Sequence, residues 1–89
     1  MKVLKEFGRF VKKRRKATGL SQEKLAELSG ISVRRMVSIE HGDANLSFCN
    51  LIRLCVALDI DCGELAQFYA SPYEDIEESD VVDVRLRLR

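Results

Sequence analysis

The chain has little of what exported, membrane-spanning or disulfide-rich proteins need. None of its apolar runs approaches the roughly 20 residues of a membrane-spanning helix. Residues 1–10 lack the long apolar segment and the small-residue cleavage site of a secretory signal. The three cysteines, an odd number, are Cys49, Cys55 and Cys62, and they follow no metal-ligand or disulfide spacing. We therefore expect a cytoplasmic protein whose cysteines stay reduced.

Patterns for catalysis and for nucleotide binding are also missing. The sequence contains neither a P-loop nor a G-x-G-x-x-G motif, and no spacing of serine, histidine and aspartate that indicates a triad. The single histidine, His41, has no ligand pattern beside it that would complete a metal site. We expect a protein that is not an enzyme and that uses no cofactor and no metal.

What the chain does have is an uneven charge distribution behind a net charge of +1. Residues 1–41 carry eleven lysines and arginines against four glutamates, a net charge of +7. Residues 42–89 carry four arginines against ten acidic residues, a net charge of −6. This division predicts one face that binds a polyanion and a second face with another role. Charge alone leaves nucleic acid and an anionic membrane surface both open.

Glycine spacing and apolar periodicity predict short helices before Pro72 and a different segment after it. The predicted helices cover residues 3–18, 22–29, 33–41, 48–58 and 63–69, with serine N-caps at Ser21, Ser32 and Ser47. Beyond Pro72, residues 74–80 are acidic, and residues 81–89 alternate in a strand-like manner. We therefore divide the chain into a helical domain, residues 1–70, and an acidic linker with a strand-like tail, residues 71–89.

The second and third predicted helices have the pattern of a helix-turn-helix. Ala26 supplies the small residue that two closely crossing helices need, and Gly30 tolerates the tight turn between them. Apolar residues anchor both helices to the rest of the domain: Leu25, Ile31, Met36 and Ile39. The opposite face of the third helix is then free for DNA bases, and it carries Val33, Arg34, Val37 and Ser38.

The segment SQEKLAELSGISVRRMVSIEHG resembles the helix-turn-helix of the XRE family, the Cro-like and phage-repressor-like regulators. The similarity covers about residues 7–69. It implies an all-α, five-helix lambda-repressor-like DNA-binding domain, to which the tail adds a short C-terminal β-strand extension. The sequence departs from the family at Arg14, where an apolar residue is usual, and at Leu46, where proline is frequent. The loop at residues 43–45 lacks the basic residue of many relatives.

The resemblance assigns base reading to the first turns of the third helix, which enter the major groove. Arg34 can form two hydrogen bonds to guanine, whereas Val33 offers only apolar contact to a thymine methyl group. Gln22, at the start of the second helix, is expected beside a phosphate. The alternative is that Arg34 and Arg35 contact phosphate alone. The candidate DNA-binding residues are Gln22, Ser32, Val33, Arg34, Arg35, Ser38, His41 and Asn45.

The resemblance also implies a structural salt bridge between Arg15 and Glu40. Such a partly buried pair would fix the first helix against the end of the third. The neighbouring basic residues are expected on a solvated surface, with one or two of them near DNA: Lys12, Lys13, Arg14 and Lys16.

The tail VVDVRLRLR predicts a β-strand that pairs antiparallel with the same strand of a second subunit. Its apolar side would cover the fifth helix, so the dimerisation residues are Phe68, Tyr69, Val82, Val84, Leu86 and Leu88. A dimer would place two recognition helices about 34 Å apart to read a palindromic operator. A frayed terminus and a docking strand for another protein are the alternatives.

We expect a sequence-specific regulator that binds double-stranded DNA as a homodimer and acts as a repressor or operon controller. The alternative function is an antitoxin that binds operator DNA and also neutralises a protein toxin, which would then be a second partner for the tail. A third possibility is a bridging factor that docks on the transcription machinery and shows no operator preference. No membrane partner is expected.

Overall fold

The structure, a computed structural model, describes residues 2–70 as a succession of helices. They are α1 (Lys2–Ala17), α2 (Gln22–Ser29), α3 (Val33–His41), α4 (Phe48–Leu58) and α5 (Cys62–Leu65). A 3₁₀ helix, Ala66–Ala70, follows α5 directly. The all-α prediction is confirmed for these residues. None of the helices within residues 2–70 is long and apolar enough to cross a membrane. The predicted strand at residues 81–89 lies outside the described residues.

Side-chain caps determine where the helices begin. The hydroxyl groups of Ser21, Ser32 and Ser47 accept hydrogen bonds from the backbone amides three residues later, at 3.0, 3.1 and 3.2 Å. These three predicted N-caps are confirmed. The fifth helix begins earlier than predicted, because Asp61 caps it and forms a capping box with Glu64. It is also shorter, since its second half tightens into the 3₁₀ helix.

The core lies where α1 crosses α3 and where α2 packs against α3 and α4. Its largest fully buried side chains come from four helices: Val11, Leu25, Met36, Ile39 and Leu54. Gly8 allows α1 to approach α3, because a Cβ atom at this position would lie 2.5 Å from the carbonyl oxygen of Ile39. This close approach holds the end of α3 against the middle of α1.

Three phenylalanine rings, two from α1 and one from the 3₁₀ helix, pack against one another beside the core. The ring of Phe68 makes edge-on contacts with Phe7 and Phe10, with 5.5 Å between ring centroids in each pair. Phe68 is half-buried within its own chain, so only part of this side chain is left for the dimer contact predicted from the sequence. The side chain of Tyr69 and the tail residues Val82, Val84, Leu86 and Leu88 lie outside the described residues.

Candidate nucleic-acid interface

Helix α3 turns one face toward the core and leaves the other accessible. Met36, Ile39 and Glu40 are buried against the rest of the domain. The accessible face carries half-buried Ser38 and five exposed residues, Val33, Arg34, Arg35, Val37 and His41. The structure therefore places the residues predicted for base reading, Val33, Arg34 and Ser38, on one solvent-accessible face. The first turn of α3 follows the Ser32 N-cap.

The two neighbouring arginines of α3 have different surroundings. Arg35 donates a hydrogen bond from Nη2 to the backbone carbonyl of Asn45, at 3.2 Å, and so ties α3 to the loop that follows it. Arg34 is exposed, and within residues 2–70 it makes no hydrogen bond or ion pair. Its guanidinium group thus keeps all its donors for a ligand.

A polar cleft of about 370 Å³ opens between the first turns of α3 and the loop at residues 43–45. It brings together five of the eight candidate DNA-binding residues, namely Ser32, Arg34, Arg35, Ser38 and Asn45. Val33, His41 and Gln22 do not line it. Asp43 places an acidic group in this cleft, and its carboxylate lies 4.0 Å from Nε2 of His41. The loop therefore brings negative charge where many relatives carry a basic residue.

A buried hydrogen-bond network joins α1, α2 and α3. Arg15 donates from Nε and Nη2 to the two carboxylate oxygens of Glu40, at 2.7 and 3.0 Å, and from Nη1 to the carbonyl of Leu20 at 2.8 Å. The Glu40 carboxylate raises the pKa of Arg15, against the opposing effect of burial. Gln22 donates a hydrogen bond from its side-chain Nε2 to Oε1 of Glu40, at 3.1 Å. The network holds the start of α2 and the end of α3 in a fixed relationship.

The amide of Gln22 is therefore engaged within the protein. One N–H of the amide contacts Glu40, which leaves its second N–H for a phosphate. Gln22 is the first residue of α2, where backbone N–H groups and the helix dipole favour an anion. The position of Gln22 is compatible with both bracing α3 and contacting a phosphate.

The basic residues near the end of α1 form two groups. Lys12, Lys13 and Lys16 are exposed, as predicted. The prediction of a solvated Arg14 is wrong, because its guanidinium group forms an ion pair with Glu64 of α5 and donates to the carbonyls of Leu58 and Asp59. A residue in the position that is usually apolar in the family thus anchors α1 to the end of α4 and to α5.

An apolar stripe on α4 was not identified from the sequence. Phe48, Ile52 and Val56, which we call the α4 stripe, recur every four residues, and Phe48 and Val56 are 76% and 78% exposed. The sequence signal for the stripe is its four-residue spacing, which is separate from the spacing of the buried residues Leu54, Cys55 and Leu58.

Within residues 2–70, no group of histidine, cysteine or acidic side chains is arranged to hold a metal ion. Cys49 and Cys62 are exposed and Cys55 is buried, all three as free thiols. Burial raises the pKa of the Cys55 thiol, and nearby Cys62 and Glu64 raise it further. Cys55 therefore belongs to the core.

A family model described as helix-turn-helix matches residues 11–65, which is more than half of the chain. The chain belongs to the XRE-type helix-turn-helix family. Members of this family are DNA-binding regulators of transcription. The matched residues include all eight candidate DNA-binding residues and both residues of the Arg15–Glu40 pair, and they end before Phe68.

The XRE-type chain also resembles a solved structure, the restriction-modification controller protein C.AhdI from Aeromonas hydrophila. The two are 44% identical, with a TM-score of 0.66, and the alignment covers 70% of this chain and 94% of the controller. No curated protein matches the chain.

Proposed function

We propose that this XRE-family protein recognises a specific sequence in double-stranded DNA as a homodimer, and thereby represses or controls a nearby operon in the cytoplasm. The observation that carries the proposal is the accessible face of α3, on which Arg34 is exposed and uncommitted within the described residues. Its guanidinium group can form two hydrogen bonds to O6 and N7 of guanine in the major groove, which typically gives about 1–3 kcal/mol of discrimination.

The surroundings of α3 supply the contacts that position it on the duplex. Arg35, held by Asn45, and His41 at the end of the helix would contact phosphates beside the groove. Gln22 adds the N-terminus of α2 as a further phosphate site. The net charge of +7 on residues 1–41 provides the long-range attraction to DNA. Ser32 and Ser38 complete the polar contacts within the cleft.

Three features support association of two copies. Regulators of this family typically dimerise, and the α4 stripe gives α4 an exposed apolar surface beside its buried face. A contiguous exposed apolar patch of this kind is typical of a surface that another protein covers. The alternating tail, with Val82, Val84, Leu86 and Leu88, offers a strand that pairs with its copy. A two-fold dimer reads a palindromic operator.

We propose that this regulator controls a restriction-modification locus. The support is the 44% identity to C.AhdI, a restriction-modification controller, which favours an operon controller over a phage-type repressor. An antitoxin would differ by a second partner, because it would copurify with a bound toxin. A bridging factor would bind the transcription machinery and select no operator.

The deciding experiment is selection of bound duplexes from a random pool by the full chain. We expect an enriched palindromic sequence whose affinity falls steeply as salt rises, because phosphate neutralisation releases counterions. Arg34→Ala should relax preference at one base pair of each half-site. Lys24→Ala is the matched control, because Lys24 is exposed and pairs with Glu27 on the surface of α2, so its loss should leave the selected sequence unchanged. A pool without enrichment would exclude the proposal.

A further inference from the structure

Two exposed valines on α3 have no role in folding that the structure reveals. Val33 is 41% exposed and Val37 is 45% exposed. Branching at the β-carbon lowers helix propensity, so these residues do not favour helix formation at solvent-facing positions. Neither side chain belongs to the buried core or to the apolar residues that pack against it.

The two valines form one apolar edge of the recognition face. Residues four apart on a helix lie one above the other, with Cβ atoms about 5–6 Å apart. The opposite edge is polar, since the cleft beside the loop is lined by Arg35 and Ser38 and by neither valine. Arg34 lies between the two edges, because successive residues are about 100° apart around the helix axis.

The major groove of DNA presents a single apolar group, the C5-methyl group of thymine. Cytosine that is methylated at C5 carries the same group in the same place. We propose that Val33 and Val37 bind the C5-methyl group of a pyrimidine in a base pair next to the guanine that Arg34 contacts. This inference rests on the proposed function and adds the chemical identity of one operator position.

The proposal has a regulatory consequence. A surface that recognises only the methyl group binds thymine and 5-methylcytosine more tightly than unmethylated cytosine. Where an operator carries cytosine at this position, methylation at C5 strengthens binding by the regulator. The protein thereby reads the methylation state of the DNA through two aliphatic side chains.

The test begins with the duplex selected from the random pool. Each thymine is replaced in turn by uracil, which removes only the methyl group, and the dissociation constant is measured for the full chain. We expect one position in each half-site, next to the guanine read by Arg34, where uracil weakens binding roughly fourfold per methyl group. At the same position, 5-methylcytosine paired with guanine should bind more tightly than cytosine paired with guanine.

Protein variants then assign the effect to the two valines. Val33→Ser and Val37→Ser remove both methyl groups of each side chain, so the loss caused by uracil should shrink or vanish in them. Leu28→Ala removes an exposed apolar side chain of α2 and should retain the full loss. Thermal unfolding of each variant shows that it is folded.

The outcomes distinguish failure of the methyl-reading proposal from failure of the proposed function. A consensus whose thymines all tolerate uracil, and whose cytosines are indifferent to methylation, overturns the methyl-reading proposal and leaves the proposed function standing. A uracil effect of equal size in wild type and in both serine variants also overturns it. A pool that yields no consensus removes the proposed function, and this inference with it.

Discussion

The guanidinium group of Arg14 and the carboxylate of Glu64 form an ion pair between residues 50 positions apart. Arg14 also donates to the carbonyls of Leu58 and Asp59, at 3.2 Å each, and lies 5.5 Å from the centre of the Phe10 ring. The second carboxylate oxygen of Glu64 accepts from the backbone amide of Asp61 at 3.1 Å. One side chain thus joins α1 to the end of α4 and the start of α5.

Replacing Arg14 should therefore weaken the fold without touching the candidate DNA surface. We expect Arg14→Ala to lower the free energy of unfolding by about 1–3 kcal/mol, because charge-assisted hydrogen bonds to partly buried acceptors are lost. Urea denaturation followed by circular dichroism measures the change. Lys13→Ala is the matched control, since Lys13 is exposed on the same helix. Equal stability of the two variants would contradict the anchoring role.

The buried pair of Arg15 and Glu40 should be more sensitive. Arg15→Ala leaves the Glu40 carboxylate with the Gln22 amide as its remaining side-chain partner, and an unpaired buried charge costs about 3–5 kcal/mol. The melting temperature of the free protein should fall sharply. If Arg15 served only to contact DNA, the variant would melt like wild type and lose affinity alone. Gln22→Ala provides the comparison, because it removes one hydrogen bond from the same network and keeps the ion pair.

Gly8 provides a test of the close contact between α1 and α3. In an ordinary exposed helix, replacing glycine by alanine stabilises the protein by about 1 kcal/mol. Here the added Cβ atom would lie 2.5 Å from the Ile39 carbonyl oxygen and 2.8 Å from that of Glu40. Because both neighbours are backbone atoms, we expect Gly8→Ala to destabilise the protein by about 1–3 kcal/mol. A rise in the melting temperature would show that α1 does not approach α3 this closely.

A structural feature could be predicted from the sequence when its interacting residues are close together along the chain. Ser21, Ser32 and Ser47 act within three residues, so the starts of α2, α3 and α4 were predictable to the residue. The partner of Arg14 is 50 residues away, and charge spacing along α1 contains no information about it.

The same limit applies to backbone packing and to the candidate site. The sequence shows Gly8 as a helix residue, but only the crossing of α1 and α3 reveals why a side chain would not fit there. The accessible face of α3 was predictable from its period, whereas the difference between Arg34 and Arg35 depends on where the loop places the Asn45 carbonyl.

The three thiols should react at two different rates. Cys49 and Cys62 are exposed, whereas Cys55 is buried and its pKa is raised by burial and then by nearby Cys62 and Glu64. A raised pKa reduces the thiolate fraction at a given pH, and the thiolate is the reactive form. Labelling of the native protein near neutral pH should modify two thiols rapidly and one slowly, and denaturant should equalise them. Cys55→Ala should remove the slow phase; three equal rates in the native protein would contradict the burial.

The two surfaces proposed to hold a homodimer together can be tested separately by two changes to the chain. Val56→Glu places a charge on the α4 stripe, where Val56 is 78% exposed, so the monomer should remain folded while association is weakened by burial of an unpaired charge. A chain that ends at Ser79 lacks the alternating tail and should also dissociate, because the strand pairing between subunits is lost. Sedimentation at micromolar concentration measures both effects. Leu28→Glu on α2 is the control for an added charge at another exposed apolar position, and it should leave the oligomeric state unchanged. A truncated chain as dimeric as the full chain would exclude the tail from the interface, and a dimeric Val56→Glu variant would exclude the α4 stripe.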